Sequence, residues 1–253
     1  MGLLLFLAAV VFAVFAALGS WQVQRLAWKR ELIVQVGQRV HAPEVAAPTA
    51  DQWTQLTASN AEYRRIRVEG TFIPGPDTLV QAVTERGSGF WAMAPLRLTD
   101  GTVVMVNRGF VPPEATRSIA PPTADAQQRS TVTGLLRMDQ PGGAFLRQND
   151  PPNQRWYSRD VQAIGKARGL TKVAPYFVDA DAALAAEPPA SGAPVAPVGG
   201  LTVIAFHNNH LVYALTWYTL AAMVAGAAWY FSRPVRRTRA HRLAKDNARA
   251  ADD

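Results

Sequence analysis

The chain has 253 residues, of which 49% are hydrophobic and 18% are charged, with a net charge of +7 and no cysteine. Low charge and plentiful apolar side chains exclude a disordered chain. The missing cysteine excludes disulfides, thiolate nucleophiles, iron–sulfur ligation and any cysteine-based zinc or copper site. More than half of the excess charge, +4, lies in the last 21 residues, directly after an apolar block. That placement is typical of a cytoplasmic membrane flank and argues against a nucleic-acid-binding face.

Residues 1–21 are predicted to form a transmembrane helix. The nineteen residues from Gly2 to Ser20 carry no charge, and at ~1.5 Å per residue a helix of that length crosses the hydrocarbon core of a bilayer. A cleaved secretory signal is the alternative, because small residues suited to cleavage end the segment. No basic region precedes the apolar run, and the run is longer than an ordinary signal sequence, which favours a retained helix.

Residues 22–48 continue at helical spacing and are predicted to form an amphipathic extension of this helix. Side chains at positions i, i+3, i+4 and i+7 share one of its faces, namely Trp21, Gln24, Arg25 and Trp28. Pro43 and Pro48 are expected to end the helix, since proline lacks the amide hydrogen that a helix interior requires.

Residues 49–180 are predicted to form an outer α+β domain. The apolar period changes to two, which predicts strands at Tyr63–Phe72, Thr78–Val83, Trp91–Leu98, Thr102–Val111, Ser130–Met138 and Pro175–Asp179. The Asp100-Gly101 pair between two apolar runs is typical of a hairpin turn. One short helix is predicted at Asp160–Gly169, with Asp160 as its N-cap. Successive strands favour a mainly antiparallel sheet that could close into a small barrel.

The C-terminal part is predicted to contain a connector, a second transmembrane helix and a basic tail. Residues 181–209 are rich in alanine, proline and glycine, as an irregular connector is. Residues 210–231 are free of Asp, Glu, Lys and Arg, with aromatic side chains at both ends, the arrangement expected at the two interfaces of a bilayer. Residues 232–253 form the tail. The fold class is therefore a membrane protein with two transmembrane α-helices flanking the outer domain.

The distribution of Lys and Arg predicts the orientation in the membrane. The tail holds seven basic residues, and the twenty residues before the second helix hold none. The tail is therefore placed in the cytoplasm, and two crossings place the N-terminus there as well, with the central domain in the periplasm or an equivalent space. Four basic residues after the first helix oppose this bias and must have another role or contact lipid headgroups: Arg25, Lys29, Arg30 and Arg39.

Histidines, rather than enzyme motifs, mark the candidate chemistry. The sequence lacks a GxSxG elbow, a glycine-rich phosphate loop and HExxH. His210, at the outer mouth of the second helix, shares a helical face with Tyr213 and Trp217. An ionisable residue there indicates function, and imidazole beside an aromatic face suits haem iron. An interfacial polar anchor is the structural alternative. A zinc or copper site that adds His207 would lack evident third and fourth ligands.

Five blocks of residues, in order and over nearly the whole chain, resemble the surfeit-locus family of cytochrome c oxidase assembly factors. They are GSWQVQRLAWK at Gly19–Lys29, YRRIRVEGTF at Tyr63–Phe72, VNRGFVP at Val106–Pro112, NDP with WYSRD at Asn149–Asp160, and PVGG with NNHLVYALTWY at Pro197–Tyr218. The first, third and fifth blocks together are specific, and none would suffice alone. The architecture of the family, two membrane helices flanking an outer domain, agrees with the predicted topology.

The resemblance implies a non-enzymatic protein of the cell inner membrane that binds haem a and helps its insertion into the core subunit of the oxidase, with haem a synthase as a second expected partner. The family pattern N-x-H-L-x-Y places the axial ligand of the haem iron at His210 and makes Tyr213 and Trp217 neighbours of the porphyrin. Trp21, Gln22, Arg25 and Trp28 could line the other wall. Arg25 also suits a haem propionate, an assignment inferred from its charge rather than from the family.

Two alternatives stay open. A membrane-anchored periplasmic enzyme would need a convergent acid/base or nucleophile set in the outer domain, and the sequence offers no candidate for one. A scaffold for oxidase assembly without a bound cofactor would share the fold, topology and partners and would differ only at His210. Asn107, Arg108 and Gly109 could contact partner proteins, but a strand end and a turn explain them first. Membrane lipid is an expected contact, and nucleic acid is not.

Overall fold

The computed structural model describes residues 2–122, 128–144, 146–182, 194–202 and 208–249, with side chains as far as Ser232. The described residues fall into two units. The helix pair takes in the chain up to Val34 and the chain from Asn208, and the barrel unit runs from Gln35 to Thr202. The predicted order of a membrane-type helix, a sheet domain and a second membrane-type helix is confirmed.

Two helices are long and apolar enough to cross a membrane. Helix α1 spans Gly2–His41, and the second spans His210–Arg249, with its apolar part at His210–Ser232. Most of their apolar surface is exposed, as suits lipid rather than a soluble core. Because the residue before a proline avoids the helical conformation, α1 ends two residues before Pro43. The helical extension thus ends before the first of the two prolines, within the predicted segment 22–48, and the second helix continues as far as Arg249.

The barrel unit contains seven strands, at Val45–Ala46 (β1), Arg65–Phe72 (β2), Thr78–Thr84 (β3), Gly87–Leu98 (β4), Val103–Val111 (β5), Arg129–Met138 (β6) and Val173–Ala180 (β7). Their order in the sheet is β1-β2-β6-β7-β5-β4-β3, and an additional pairing of β2 with β4 closes five of them into a barrel. The pairs β1–β2 and β5–β7 are parallel and the others are antiparallel. The mainly antiparallel, barrel-like sheet predicted from the sequence is confirmed.

Short helices and buried side chains complete the barrel unit. Helix α2 spans Ala58–Ala61 and α3 spans Val161–Ala167, which makes the C-terminal membrane-type helix α4; single 3-10 turns lie at Ala50–Gln55, Pro113–Ala115 and Pro151–Asn153. The Asp160 carboxylate accepts the Ala163 amide at 2.9 Å, the N-cap that the sequence predicts. Alternate residues of the strands fill the barrel, and α3 packs on it through a second cluster, so burial on one sheet face drives its closure.

The predicted Asp100-Gly101 turn connects β4 to β5. The Asp100 carboxylate accepts the Thr102 hydroxyl at 2.6 Å and the Thr102 amide at 2.9 Å. These hydrogen bonds, the hydroxyl first, lower the pKa of Asp100 below its ordinary value of 3.8. Because the folded chain holds this proton less tightly than the unfolded chain, the stabilisation is present above pH 3.8 and is lost as the pH falls through the lowered pKa.

We therefore expect Asp100→Asn to flatten the acid side of the stability curve. Wild type and variant should differ most in free energy of unfolding at neutral pH, and the difference should shrink as the pH falls below 3.8. Denaturant titrations of the full-length protein at several pH values measure it. A difference that stays constant down to strongly acid pH would contradict the assignment.

Candidate cofactor site

The helix pair is antiparallel and packs through one face of each helix. The ring centroids of Phe15 and Trp217 lie 5.6 Å apart. The Ser20 and Tyr218 hydroxyl oxygens lie 3.1 Å apart, and Gln22 contacts His210. Within the pair, the most buried side chains follow the three- and four-residue spacing of a packed helix face: Gln22 and Leu26 on α1, and Ala214 and Ala221 on α4.

His210 is held on this face by a hydrogen bond that its ring donates to the opposite helix. Its Nδ1 lies 2.7 Å from the Gln22 side-chain oxygen, and Gln22 is only 9% exposed. An amide oxygen can only accept, so in this contact Nδ1 is the donor and carries a proton. In that tautomer Nε2 carries the free lone pair, which is the form in which histidine ligates a metal. The arrangement therefore fits an axial haem ligand.

Small residues allow the two helices to approach. A Cβ atom built on Gly19 would lie 2.8 Å from the Tyr218 ring, so the tyrosine packs directly on the α1 backbone. Close approach through small residues is the usual way in which membrane helices associate. Sequence reasoning named Gln22 only as one of several wall residues, and it missed Gly19 and Tyr218. Their spacing from Gln22 and His210 along each helix is the signal that would have found them.

The structure brings some of the predicted site residues to the packed face and leaves others outside it. His210 and Trp217 contact α1. Tyr213 and Trp21 are 54% and 55% exposed, and the Arg25 guanidinium stacks 4.0 Å above the Trp28 ring. The roles of Tyr213, Trp21 and Arg25 toward a cofactor stay predictions. His210 and Trp217 therefore lie at the contact between the two helices, whereas the other three residues belong to an aromatic and cationic surface on the same helices.

Metal chemistry beyond one imidazole finds no support in the described part of the chain. His207, the second histidine of the zinc or copper option, lies outside the described residues. Among the residues that are described, no three His, Asp or Glu side chains group closely enough to hold a metal ion. The side-chain oxygen of Asn208, two residues before His210, is buried and has no hydrogen-bond partner in the described structure.

Arg25 and Arg39, which oppose the predicted orientation, make contacts within the fold. Within the helix pair, Arg25 stacks on Trp28. Within the barrel unit, Arg39 donates to the main-chain oxygens of Glu62 at 3.2 Å and Ser59 at 2.5 Å. The position of a basic residue that makes such contacts depends on the fold as well as on the orientation in the membrane. These contacts supply the other role that the sequence analysis required.

The barrel unit holds a buried cluster of charges centred on Asp179. This carboxylate, 3% exposed, accepts from the guanidinium groups of Arg137 and Arg159 at 3.1 Å each and from the Asn107 amide at 2.7 Å. Burial lowers the pKa of Arg159, against the opposing effect of Asp179. At Arg137 burial also opposes the charge, but Asp179 and Glu62 outweigh it and raise the pKa. The charges compensate one another, so the cluster is a structural one.

The Asn107-Arg108-Gly109 run of β5 is engaged within the barrel unit. Arg108 donates to the Asp77 carboxylate at 2.5 Å and to the Ala120 main-chain oxygen at 2.8 Å. Burial raises the pKa of Asp77, and the nearby Arg108 charge opposes that shift. With Asn107 bonded to the Asp179 cluster, these side chains hold strand and loop together. The structural interpretation of the run is the one that the contacts support.

A histidine on the packed face of two membrane-type helices, in a chain whose central part is a closed five-stranded barrel, defines the class: a membrane-anchored barrel protein with a candidate cofactor ligand. The chain belongs to the SURF1 family, whose sequence model matches residues 9–222. The resemblance seen in the sequence blocks is thereby confirmed.

Relatives in several organisms match most of the chain. Surfeit locus protein 1 of Mus musculus is 35% identical over 240 residues, which cover 87% of this chain and 72% of the relative. Surfeit locus protein 1 of Homo sapiens is 32% identical over 222 residues, which cover 81% of this chain and 69% of the relative. The SURF1-like protein of Monosiga brevicollis is 34% identical over 232 residues, which cover 85% of this chain and 82% of the relative. The family match includes the whole packed face from Phe15 to His210 and Trp217.

Proposed function

We propose that the protein is an assembly factor for haem-copper cytochrome c oxidase, which binds haem a through His210 and helps its insertion into the oxidase core subunit. Membership of the SURF1 family and the resemblance of the sequence blocks support the assembly role. The observation that carries the cofactor role is the His210 imidazole, which is oriented through Nδ1 by a buried amide and has no hydrogen-bond partner for Nε2 among the described residues.

The residues of the helix pair divide the binding task. His210 would hold the iron through Nε2, and Trp217, packed on Phe15, would offer an apolar wall that excludes water from the bond. Arg25, stacked on Trp28, would hold a fixed positive charge for a propionate. The haem itself supplies the redox chemistry, which belongs to the oxidase that receives it.

The proposed role needs loose binding. One neutral histidine ligand, on helices whose other faces are largely exposed, can release what it holds. We place the protein in the cell inner membrane with both termini cytoplasmic and the barrel unit periplasmic, because seven basic residues follow the apolar part of α4 and none lie in the twenty residues before α4. The partners would be the core subunit and haem a synthase, and no reaction is assigned to the protein itself.

An optical difference spectrum tests the cofactor role. We expect full-length protein, purified in detergent after co-expression with haem a synthesis, to show a reduced-minus-oxidised haem a signal, and His210→Ala to lose it. Loss of an axial donor removes the bond to iron without removing a core side chain. His41→Ala is the matched control, since His41 is exposed and its ring hydrogen-bonds to the Gly37 main-chain oxygen of its own helix. Full haem content in His210→Ala would contradict the ligand assignment.

The rival proposal is a scaffold for oxidase assembly that binds no cofactor. A strain in which the gene is deleted tests whether the protein has any role in assembly. Without the gene, oxidase activity should fall while synthesis of the core subunit is unchanged. A plasmid-borne His210→Ala variant should fail to restore activity if the haem role holds, and full restoration would favour the scaffold. An unaffected oxidase in a strain without a second copy of the gene would refute the assembly role altogether.

A further inference from the structure

We propose that Gln22 is a positioning residue that sets both the tautomer and the release rate of the His210 site. The inference rests on the proposed haem role for its second half, whereas its first half concerns the protein without cofactor. The side-chain oxygen of Gln22 lies 2.7 Å from Nδ1 of His210, across the packed face of the helix pair. This hydrogen bond thus joins two helices and is not a contact between neighbouring residues of one helix.

The Gln22 amide is placed where its geometry is controlled. The side chain is 9% exposed, and it lies between the Ser20–Tyr218 contact on one side and the buried Leu26 on the other. In such a site an imidazole and its acceptor exchange fewer hydrogen bonds with water, so the one bond between them decides the tautomer. A neutral imidazole that donates from Nδ1 can bind a metal only through Nε2.

The acceptor on Nδ1 also sets how strongly the imidazole donates to a metal. In many metal sites a carboxylate accepts this hydrogen bond and makes the histidine a more basic ligand. Here the acceptor is an uncharged amide, which orients the ring but adds little electron density. A carrier must release its cargo, so an orienting but neutral partner suits transfer, and a carboxylate at the same place would favour retention.

The tautomer is measured on the full-length protein in detergent, without haem, by NMR of ¹⁵N-labelled histidine. The chain has four histidines, so the signal that disappears in His210→Ala is assigned to His210. We expect wild type and Gln24→Leu to hold the proton on Nδ1, because Gln24 is exposed. Gln22→Leu should shift the population toward the Nε2–H form. The same tautomer in Gln22→Leu and wild type would overturn the proposal.

The release rate is measured with ferric haem b as the probe, by its transfer to an excess of apomyoglobin. Gln22→Leu should weaken binding by about 10–100-fold, the usual loss when the partner of a metal-bound histidine is removed. Gln22→Glu is nearly isosteric, and its carboxylate should make the imidazole a more basic ligand, slow release and lower the midpoint potential of the haem. Gln24→Glu should change neither quantity. Equal release from wild type, Gln22→Leu and Gln22→Glu would overturn the role in release.

Failure of the proposed function gives a different pattern. If wild type and His210→Ala retain or lack haem alike, His210 is not the ligand, and the tautomer measurement still decides whether Gln22 controls the imidazole. If only His210→Ala loses haem and the Gln22 variants behave as wild type, the ligand assignment stands and the positioning role is refuted.

Discussion

Asp179→Ala is expected to destabilise the barrel by about 3–5 kcal/mol, the usual cost of removing one partner from a buried ion pair. The Asp179 carboxylate is 3% exposed and is shared by two guanidinium groups, of Arg137 and Arg159. Without it, both cations stay buried against aromatic rings, Tyr63 and Phe177, and Glu62 is left as the nearby carboxylate that contacts Arg137. The cost is therefore that of stranded charge rather than of one lost contact.

Asp181→Ala is the matched control for Asp179→Ala. Asp181 pairs with Arg65 at 2.6 Å two residues further along the chain, but the side chains are 35% and 37% exposed, so water screens the pair. Its loss should cost only about 0.2–1 kcal/mol. Guanidinium unfolding of the full-length protein in detergent, followed by near-UV circular dichroism, measures both. Equally small losses of unfolding free energy in the two variants would show that water screens the charges around Asp179 as well.

The sequence predicted the strands well because alternation is a local signal. The six predicted strands correspond to β2–β7 with boundary differences of a few residues, and β4 begins at Gly87 rather than Trp91. Strand β1 has two residues and no alternation to detect. The parallel pairing of β5 with β7 could not be predicted, since it depends on how β6 and α3 return the chain. Barrel closure likewise depends on a contact between β2 and β4, which are separated in sequence.

The candidate site was predictable in part, for a related reason. Helical spacing placed His210 and Trp217 on one face, and in the structure both contact α1. Spacing along one helix says nothing about which residue of the other helix lies opposite. Trp21 and Arg25 were chosen by residue type, yet the amide of Gln22 is the group that meets the imidazole. The Asp179 cluster was missed because the four cited partners of Asp179 come from separate segments of the chain: Asn107, Arg137, Arg159 and Thr202.

Gly109→Ala is expected to be the second strongly destabilising change. Gly109 has φ +133°, a conformation that costs a residue with a side chain about 1–3 kcal/mol. A Cβ there would also collide with the main chain of Val198 and Gly199. That collision would separate two hydrogen bonds between Phe110 and Val198, both 2.9 Å long, at a further cost of about 1 kcal/mol each. The connector would thereby lose its place on β5.

Gly101→Ala separates the two causes of the Gly109→Ala effect. Gly101 also has positive φ, +81°, but nothing lies within 4 Å of its Cβ position, so only conformational strain remains. We expect Gly109→Ala to lower the midpoint of thermal unfolding clearly more than Gly101→Ala. It should also expose the connector at 194–202 to protease, whereas Gly101→Ala should not. Equal effects would mean that the Val198 contact adds nothing, and Asn107-Arg108-Gly109 would again be candidates for a partner surface rather than for holding the connector to the barrel.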